Sequence, residues 1–356
     1  MAKVVVVGGG PAGLLSALAL ARRDFKVTVV EARRLPIDKA CGEGIMPHGL
    51  ALLHQLGVKE RIQAYHPYQG ICYRAGEQQA EAPFLAGPGW GVRRLELSRA
   101  LGEAVAAQPE IQLLEGRRVT GLQQARGGVE IRLESGLLRA DWLVGADGLA
   151  SKVRAWSGLE GRPARRQRWG VRRHFGLAPW TDKVEVHLSQ GCEAYITPVD
   201  QQLVGVAFLW EKELKVPGKE QLWPFFLSRF PVLAERLRGA EPASPQRAVG
   251  PLERRVTSVL KSKVALVGDA SGYLDALTGE GISLAAGQAL ALADCLAAGR
   301  AHDYPGRHRR LGRAYKVSTS ILLQLVRYPT LAERLVGFLS KRPGLFSHLL
   351  EVASGR

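Results

Sequence analysis

The stretch "VVVVGGGPAGLLSALA", residues 4–19, decides the fold. Four β-branched valines in a row read as a short strand buried on both faces of a parallel sheet. Gly8, Gly10 and Gly13 follow as G-x-G-x-x-G, and the apolar residues after them continue at helical spacing. A second apolar strand, "KVTVVE" (26–31), ends on an acid, Glu31. Strand, glycine turn, helix, strand and acid together form the context in which this motif binds a dinucleotide. Gly8 permits the tight turn and Gly10 lets the backbone approach a pyrophosphate. Gly13 lets the helix lie close on the sheet, and the helix N-terminus aims free N–H groups at the phosphates. Glu31, 18 residues past Gly13, is placed to accept hydrogen bonds from an adenosine ribose. The competing reading is a glycine-rich connection in some other α/β fold.

Two later segments repeat this grammar. "LRADWLVGADGLASKVR" (138–154) gives a strand, then an Asp-Gly turn at Asp147 and a helix start. "KSKVALVGDAS" gives a strand at 264–267, then Gly268 and Asp269, and runs into "GDASGYLDALTGEGISLA" (268–285). Each turn alone reads as a strand-to-helix connection. In this order and spacing with the first loop, they are no longer independent.

The chain has 356 residues, enough for one large domain or two interleaved ones with a sizeable core. Lys and Arg number 49 against 33 Asp and Glu, a net charge of +16, concentrated partly in "GRPARRQRWGVRRHF" (161–175) and "GRHRRLGRAYK" (306–316). A solvated arginine-rich surface accounts for this. So would attraction to a phosphorylated cofactor, an anionic membrane or an acidic substrate. No recognition-helix, finger or ribonucleoprotein signature accompanies the charge, so nucleic acid is not the expected partner. The four cysteines, Cys41, Cys72, Cys192 and Cys295, form no Cys-x-x-Cys pair. That argues for a reducing compartment and against structural zinc. A strand starting almost at the first residue leaves no room for a signal peptide, and no apolar run spans a bilayer. A cytoplasmic protein is expected.

Between the cofactor segments, residues 67–91 are rich in Gly, Pro and aromatics, and residues 166–249 alternate like half-exposed strands. In "QLVGVAFLW", Val204, Val206, Phe208 and Trp210 share one face. Residues 1–66, 92–165 and 250–300 are expected to form the dinucleotide-binding domain, and 67–91 with 166–249 an inserted substrate-binding sheet domain. Residues 301–356 are expected to be helical, with breaks at "YPT" and "KRPG". Their amphipathic segments, bordered by Lys and Arg, either pack on the body or meet a membrane or lipid surface.

"GGGPAG" with Glu31, "GADGLASKVR" and "GDASGYLDALTGEGISLA" together resemble the FAD-dependent monooxygenase superfamily that includes para-hydroxybenzoate hydroxylase, and its relatives the geranylgeranyl reductases. The match is good over the first 155 residues and over 250–298, and weak elsewhere. The resemblance implies an α/β chain with a Rossmann-like FAD-binding domain, an inserted β-sheet substrate domain and C-terminal helices. It implies one FAD with its pyrophosphate on Gly8, Gly10 and Gly13 and its adenosine ribose on Glu31, with Arg33 beside it. Arg94, in "RRLELSRAL", matches the arginine that opens the next helix and reaches the cofactor. Asp147 matches a position near the cofactor's centre linked with nicotinamide use, and Asp269 would bond the ribityl chain. Backbone N–H groups at Gly279, Glu280, Gly281 and Ile282 would meet the negative N1–C2=O edge of the reduced ring. Glu280 also suits a capping role. The loop "DKACGEGIMPHG" (38–49) is similar to the Cys-Gly-Gly-type stretch beside the flavin ring in the reductases.

No second glycine motif with strand and helix context appears, so NADPH or NADH would bind transiently against the FAD surface, or an external donor would supply electrons. The halogenase Trp-x-Trp-x-Ile-Pro stretch is missing. Two reactions remain. One is hydroxylation of an apolar aromatic, phenolic or polyketide-like molecule through a flavin C4a-hydroperoxide. Phenols lose a proton only near pH 10, and His48 and His174 are candidate bases. The other is reduction of isoprenoid C=C bonds, which "TGEGI" favours. The strands at 192–210 look more like a hydroxylase substrate sheet than the Tyr-x-Trp-x-Phe-Pro segment of the reductases, and hydroxylation is the reading preferred from sequence. The proline usual just before that Thr-Gly is absent, with Ala276 and Leu277 in its place. A small apolar or aromatic substrate is expected in either case. A flavin-bound scaffold without catalysis is the remaining alternative, and no recognisable partner module supports it.

Overall fold

A computed structural model describes residues 1–163, 167–218 and 220–353. Part of the basic stretch at 161–175 therefore lies outside the described residues. The valine run becomes the strand Lys3–Val7, central in a six-stranded sheet. Lys26–Val30 and then Ile111–Leu114 pair parallel on one side, and Trp142–Gly145 and then Val264–Leu266 on the other. Leu260–Lys261 closes the edge antiparallel. The helix Pro11–Ala21 lies between this sheet and the helix Gly281–Ala297 and is buried along nearly its whole length. That double burial explains why it is apolar all round rather than striped. A three-stranded antiparallel sheet spanning Val119 to Ala140 covers the opposite face, with Val129 and Ile131 packed on Val5, Val7 and Leu143.

The second sheet has seven strands. Its order runs Arg247–Val249, Arg168–Phe175, Leu203–Glu211, Cys192–Asp200, Lys183–Ser189, Gly70–Ala75, Gln78–Pro83. Strands from residues 67–91 and from residues 166–249 thus pair in one sheet, joined through the parallel match of Lys183–Ser189 with Gly70–Ala75. One face is covered by the short helices Leu222–Arg229 and Pro231–Arg236, where Phe208 stacks with Phe226 and Phe230. The alternation read in "QLVGVAFLW" holds, since Val204, Val206 and Phe208 all point into this packing. The opposite face, carrying the smaller Ala207 together with Leu209, is the one that faces a cavity. Three helices, Tyr304–Arg327, Pro329–Ser340 and Pro343–Ala353, follow the "YPT" and "KRPG" breaks; the first packs on Gly281–Ala297 and the other two beside the strand Gln78–Pro83, with Pro329–Ser340 also against Gly70–Ala75.

Candidate active site

The first glycine turn is built as its residues dictate. Gly8 has φ +113°, and a Cβ there would sit 2.4 Å from the carbonyl oxygen of Ala146. At Gly13 a Cβ would lie 1.8 Å from the carbonyl oxygen of Gly8, so the helix is as close to the turn as backbone allows. Gly10 differs: a Cβ there would meet nothing nearer than an Arg94 Nη2 at 3.8 Å, and its free side opens into the cavity. Glu31 accepts from the N–H groups of Gly9 (2.6 Å) and Arg33 (2.9 Å), which fixes its carboxylate at the outer end of the turn. Arg33 keeps its side chain half-exposed, with Nε 3.9 Å from Glu31.

Across from Gly10, Arg94, Lys39 and Asp269 line the cavity together. Burial lowers the Lys39 pKa and neighbouring Arg94 adds to the effect; burial raises that of Asp269, against the pull of Lys39 and Arg94. Two cations facing a helix N-terminus form a built site for phosphate. Lys39 was not singled out from sequence, because nothing in its spacing marks it. Beyond them the third loop runs along the cavity as Thr278, Gly279, Glu280, Gly281 and Ile282. Gly279 has φ +68°, and Cβ atoms at Gly279 and Gly281 would meet nothing within 4 Å. Arg94 Nε and Thr278 Oγ1 are buried without a hydrogen-bond partner among the described residues. Open space above glycines and orphaned donors at both ends are what a long, flat, phosphorylated cofactor would complete. The residues fit FAD.

Asp147 is placed differently from the cavity-lining residues. Its carboxylate accepts from Ser151 Oγ and from the N–H groups of Lys152 and Val153, capping the short helix Lys152–Trp156. Its neighbours Ala146, Gly148 and Leu149 line the cavity instead.

The loop at 38–45 closes one side of the cavity through a buried network. Glu43 (φ +61°) accepts from the Arg94 N–H at 2.8 Å, and its other carboxylate oxygen is 2.5 Å from His174 Nε2. His174 Nδ1 in turn accepts from Ser244 Oγ (2.7 Å) and Arg172 Nη1 (3.2 Å). Arg172 also pairs with Asp38 at 2.5 Å and donates to the Lys39 carbonyl. These partners assign the neutral His174 tautomer with its proton on Nε2. Both ring nitrogens are therefore engaged, and His174 stands behind the cavity wall. His48 lies half-buried at the start of the helix Pro47–Gln55 and does not line the cavity either. Burial pushes the Cys41 thiol up, so it is not an activated thiolate.

Past the third loop the cavity widens into an apolar chamber under the seven-stranded sheet. Its walls include Met46, Ile71, Val184, Val186, Ala207 and Leu209, with Tyr68, Tyr73 and Tyr195 among them. Burial holds all three phenols above the ordinary tyrosine range, so they stay protonated. The Tyr195 hydroxyl donates to the Leu277 carbonyl, tying the sheet to the third loop. Beneath, Arg168 lies between Glu193 and Asp275, all three side chains at most 2% exposed. Burial pushes Glu193 up to about 8 and also raises Asp275, against the attraction of Arg168. Asp275 reaches the cavity. This cluster was invisible in the sequence, where its members stand far apart in "QRWG", "CEAY" and "YLDA".

A family model described as "FAD binding domain" matches residues 1–303. Menaquinone reductase of Mycobacterium tuberculosis (strain H37Rv) is 29% identical over 307 residues, covering 79% of this chain and 73% of the relative. The 3-demethoxyubiquinol 3-hydroxylase of Escherichia coli K12 is 27% identical over 333 residues, covering 84% and 81%. Among solved structures, a flavoprotein/dehydrogenase from Cytophaga hutchinsonii superposes with a TM-score of 0.86 over 99% of this chain and 92% of that one, at 19% identity. That likeness establishes the fold.

Proposed function

The chain belongs to the FAD-binding-domain family, and on that premise we propose that it is a flavin-dependent reductase of C=C bonds in a long isoprenoid substrate. The observation that carries the reading is the chamber, walled by aliphatic side chains and protonated phenols, with His48 and His174 both off its surface. A hydrocarbon chain asks of its site only apolar walls and excluded water. A phenol would ask for a base, and neither histidine reaches one. The Mycobacterium tuberculosis relative is named for a reduction, which accords with this reading. This reverses the preference drawn from sequence for hydroxylation.

When bound and reduced by NADPH, NADH or an external donor, FAD supplies hydride to one alkene carbon. The protein's own residues do the rest. Gly10, Arg94 and Lys39 would hold the pyrophosphate, and Asp269 the ribityl chain. The N–H groups opening the helix at Gly281 would stabilise charge on the ring edge. The other alkene carbon needs a proton. Glu193 and Asp275, both raised by burial around one guanidinium, hold a proton between them near neutral pH, and Asp275 brings it to the cavity wall.

The test is product analysis under anaerobic conditions with the flavin-loaded protein, a polyprenyl substrate and dithionite or NADPH. A product heavier by two hydrogens is expected, both of them deuterium when dithionite, which supplies electrons alone, is used in heavy water. Oxygen uptake with a product heavier by one oxygen would overturn the reading. That outcome is the second reading, hydroxylation, the reaction for which the Escherichia coli relative is named.

A further inference from the structure

The three C-terminal helices bury one face and leave a second apolar face in solvent. On the C-terminal half of Tyr304–Arg327 the exposed pair is Val317 and Ile321; on Pro329–Ser340 it is Leu331 and Phe338, with partly buried Leu335 between them. On Pro343–Ala353 it is Leu345, Leu349 and Val352. These spacings of four and seven put each set on a single helix face. Exposure of these side chains runs from 41% to 56%, whereas single exposed apolar residues are scattered over the rest of the molecule.

The charge around them has one sign. Between residues 304 and 353 there are nine Lys and Arg and two Glu. Both acids lie against the body: Glu333 beside the Gly76 turn, and Glu351 accepting from the Leu85 N–H at 3.3 Å. Arg334 stands between Leu331 and Phe338, Lys341 and Arg342 at the next corner, and Arg342 lies 4.1 Å from the Phe338 ring centroid. Tyr328 is exposed at the first corner. Apolar stripes interleaved with basic side chains and an aromatic belt match the headgroup boundary of an anionic bilayer. A second copy of the chain would bring two such basic faces together, which opposes self-association. No described helix is long and apolar enough to cross a membrane.

The inward faces of the same helices complete the argument. Leu323, Val326, Val336, Leu339 and Phe346 belong to one packed cluster with the chamber residues Ile71, Tyr73, Val186 and Tyr195. We propose that this helical layer docks on an anionic membrane surface and that the chamber behind it draws its apolar substrate from the bilayer. The docking rests on the surface alone; the delivery of substrate rests on the reductase reading.

The experiment is flotation of flavin-loaded full-length protein with vesicles of phosphatidylcholine, with and without phosphatidylglycerol. Partitioning should rise at least about tenfold with the anionic lipid and fall as salt is added. A variant carrying Val317→Ser, Ile321→Ser, Leu331→Ser and Phe338→Ser should lose about tenfold or more of that binding, and Arg334→Gln with Lys341→Gln a smaller part. Leu137→Ser, at an exposed leucine remote from these helices, should change nothing. Flavin content and melting temperature control for folding. Wild type that ignores anionic vesicles, or a serine variant that floats like wild type, would overturn the proposal. So would a wild-type dimer that the serine variant abolishes. Vesicle binding without reduction of any isoprenoid would refute the reductase reading alone. Reduction of a short soluble isoprenoid without vesicle binding would refute the docking alone.

Discussion

Replacing Arg168 by Met probes the buried cluster that is assigned the proton. Arg168 Nη1 is 3.3 Å from Asp275 Oδ2, and its other terminal nitrogen contacts Glu193; the three side chains are 2%, 1% and 0% exposed. Met keeps most of the stem's volume but leaves the carboxyls without a cation. Removing one partner of a buried ion pair costs about 3–5 kcal/mol, and that is the expected loss at pH 8. The sign with pH is fixed by burial. Without Arg168 both folded-state pKa values rise further above their unfolded values. The loss is therefore full at alkaline pH and shrinks as pH falls, by up to about 1.4 kcal/mol per unit for each carboxyl that takes a proton. Urea unfolding of flavin-loaded protein at pH 5, 6.5 and 8 measures it. About 1 kcal/mol of packing loss should remain at pH 5. Adding Glu193→Gln to Arg168→Met should recover part of the loss at pH 8. A loss equal at pH 5 and pH 8 would refute the reasoning.

Wild type should itself lose stability as pH rises from 4.5 towards 8, because the fold favours protonated Glu193; Glu193→Gln should flatten that slope. Gly13→Ala places a Cβ 1.8 Å from the Gly8 carbonyl oxygen and should abolish flavin retention, read as flavin released on denaturation per protein. Asp269→Ala should weaken flavin retention while the protein stays folded by circular dichroism; unchanged flavin content would remove the ribityl contact. Val186→Trp should fill the chamber and lower kcat/KM at least about tenfold with flavin content unchanged, and normal turnover would move the substrate elsewhere.

Much of this molecule is local grammar, and local grammar is legible in a sequence. The valine strand, Gly8, Gly10, Gly13 and Glu31 lie within one βαβ unit. Their spacing specifies the turn because a Cβ at Gly8 or Gly13 would strike backbone. The order of the three turns likewise carried the family, since each ends a strand that the sheet must bring to one edge. The parts that decide the reaction are not local. Lys39 faces Arg94 from a loop, Arg168 meets Glu193 across an intervening strand of one sheet and Asp275 from the third loop, and His174 turns to Glu43, only because segments distant in the chain are packed together. Periodicity showed that "QLVGVAFLW" has two faces, but only packing decided that the helices take Phe208 and leave Ala207 and Leu209 to the chamber. A side chain's face follows from its own strand, whereas its neighbours depend on which distant segments are brought against that face.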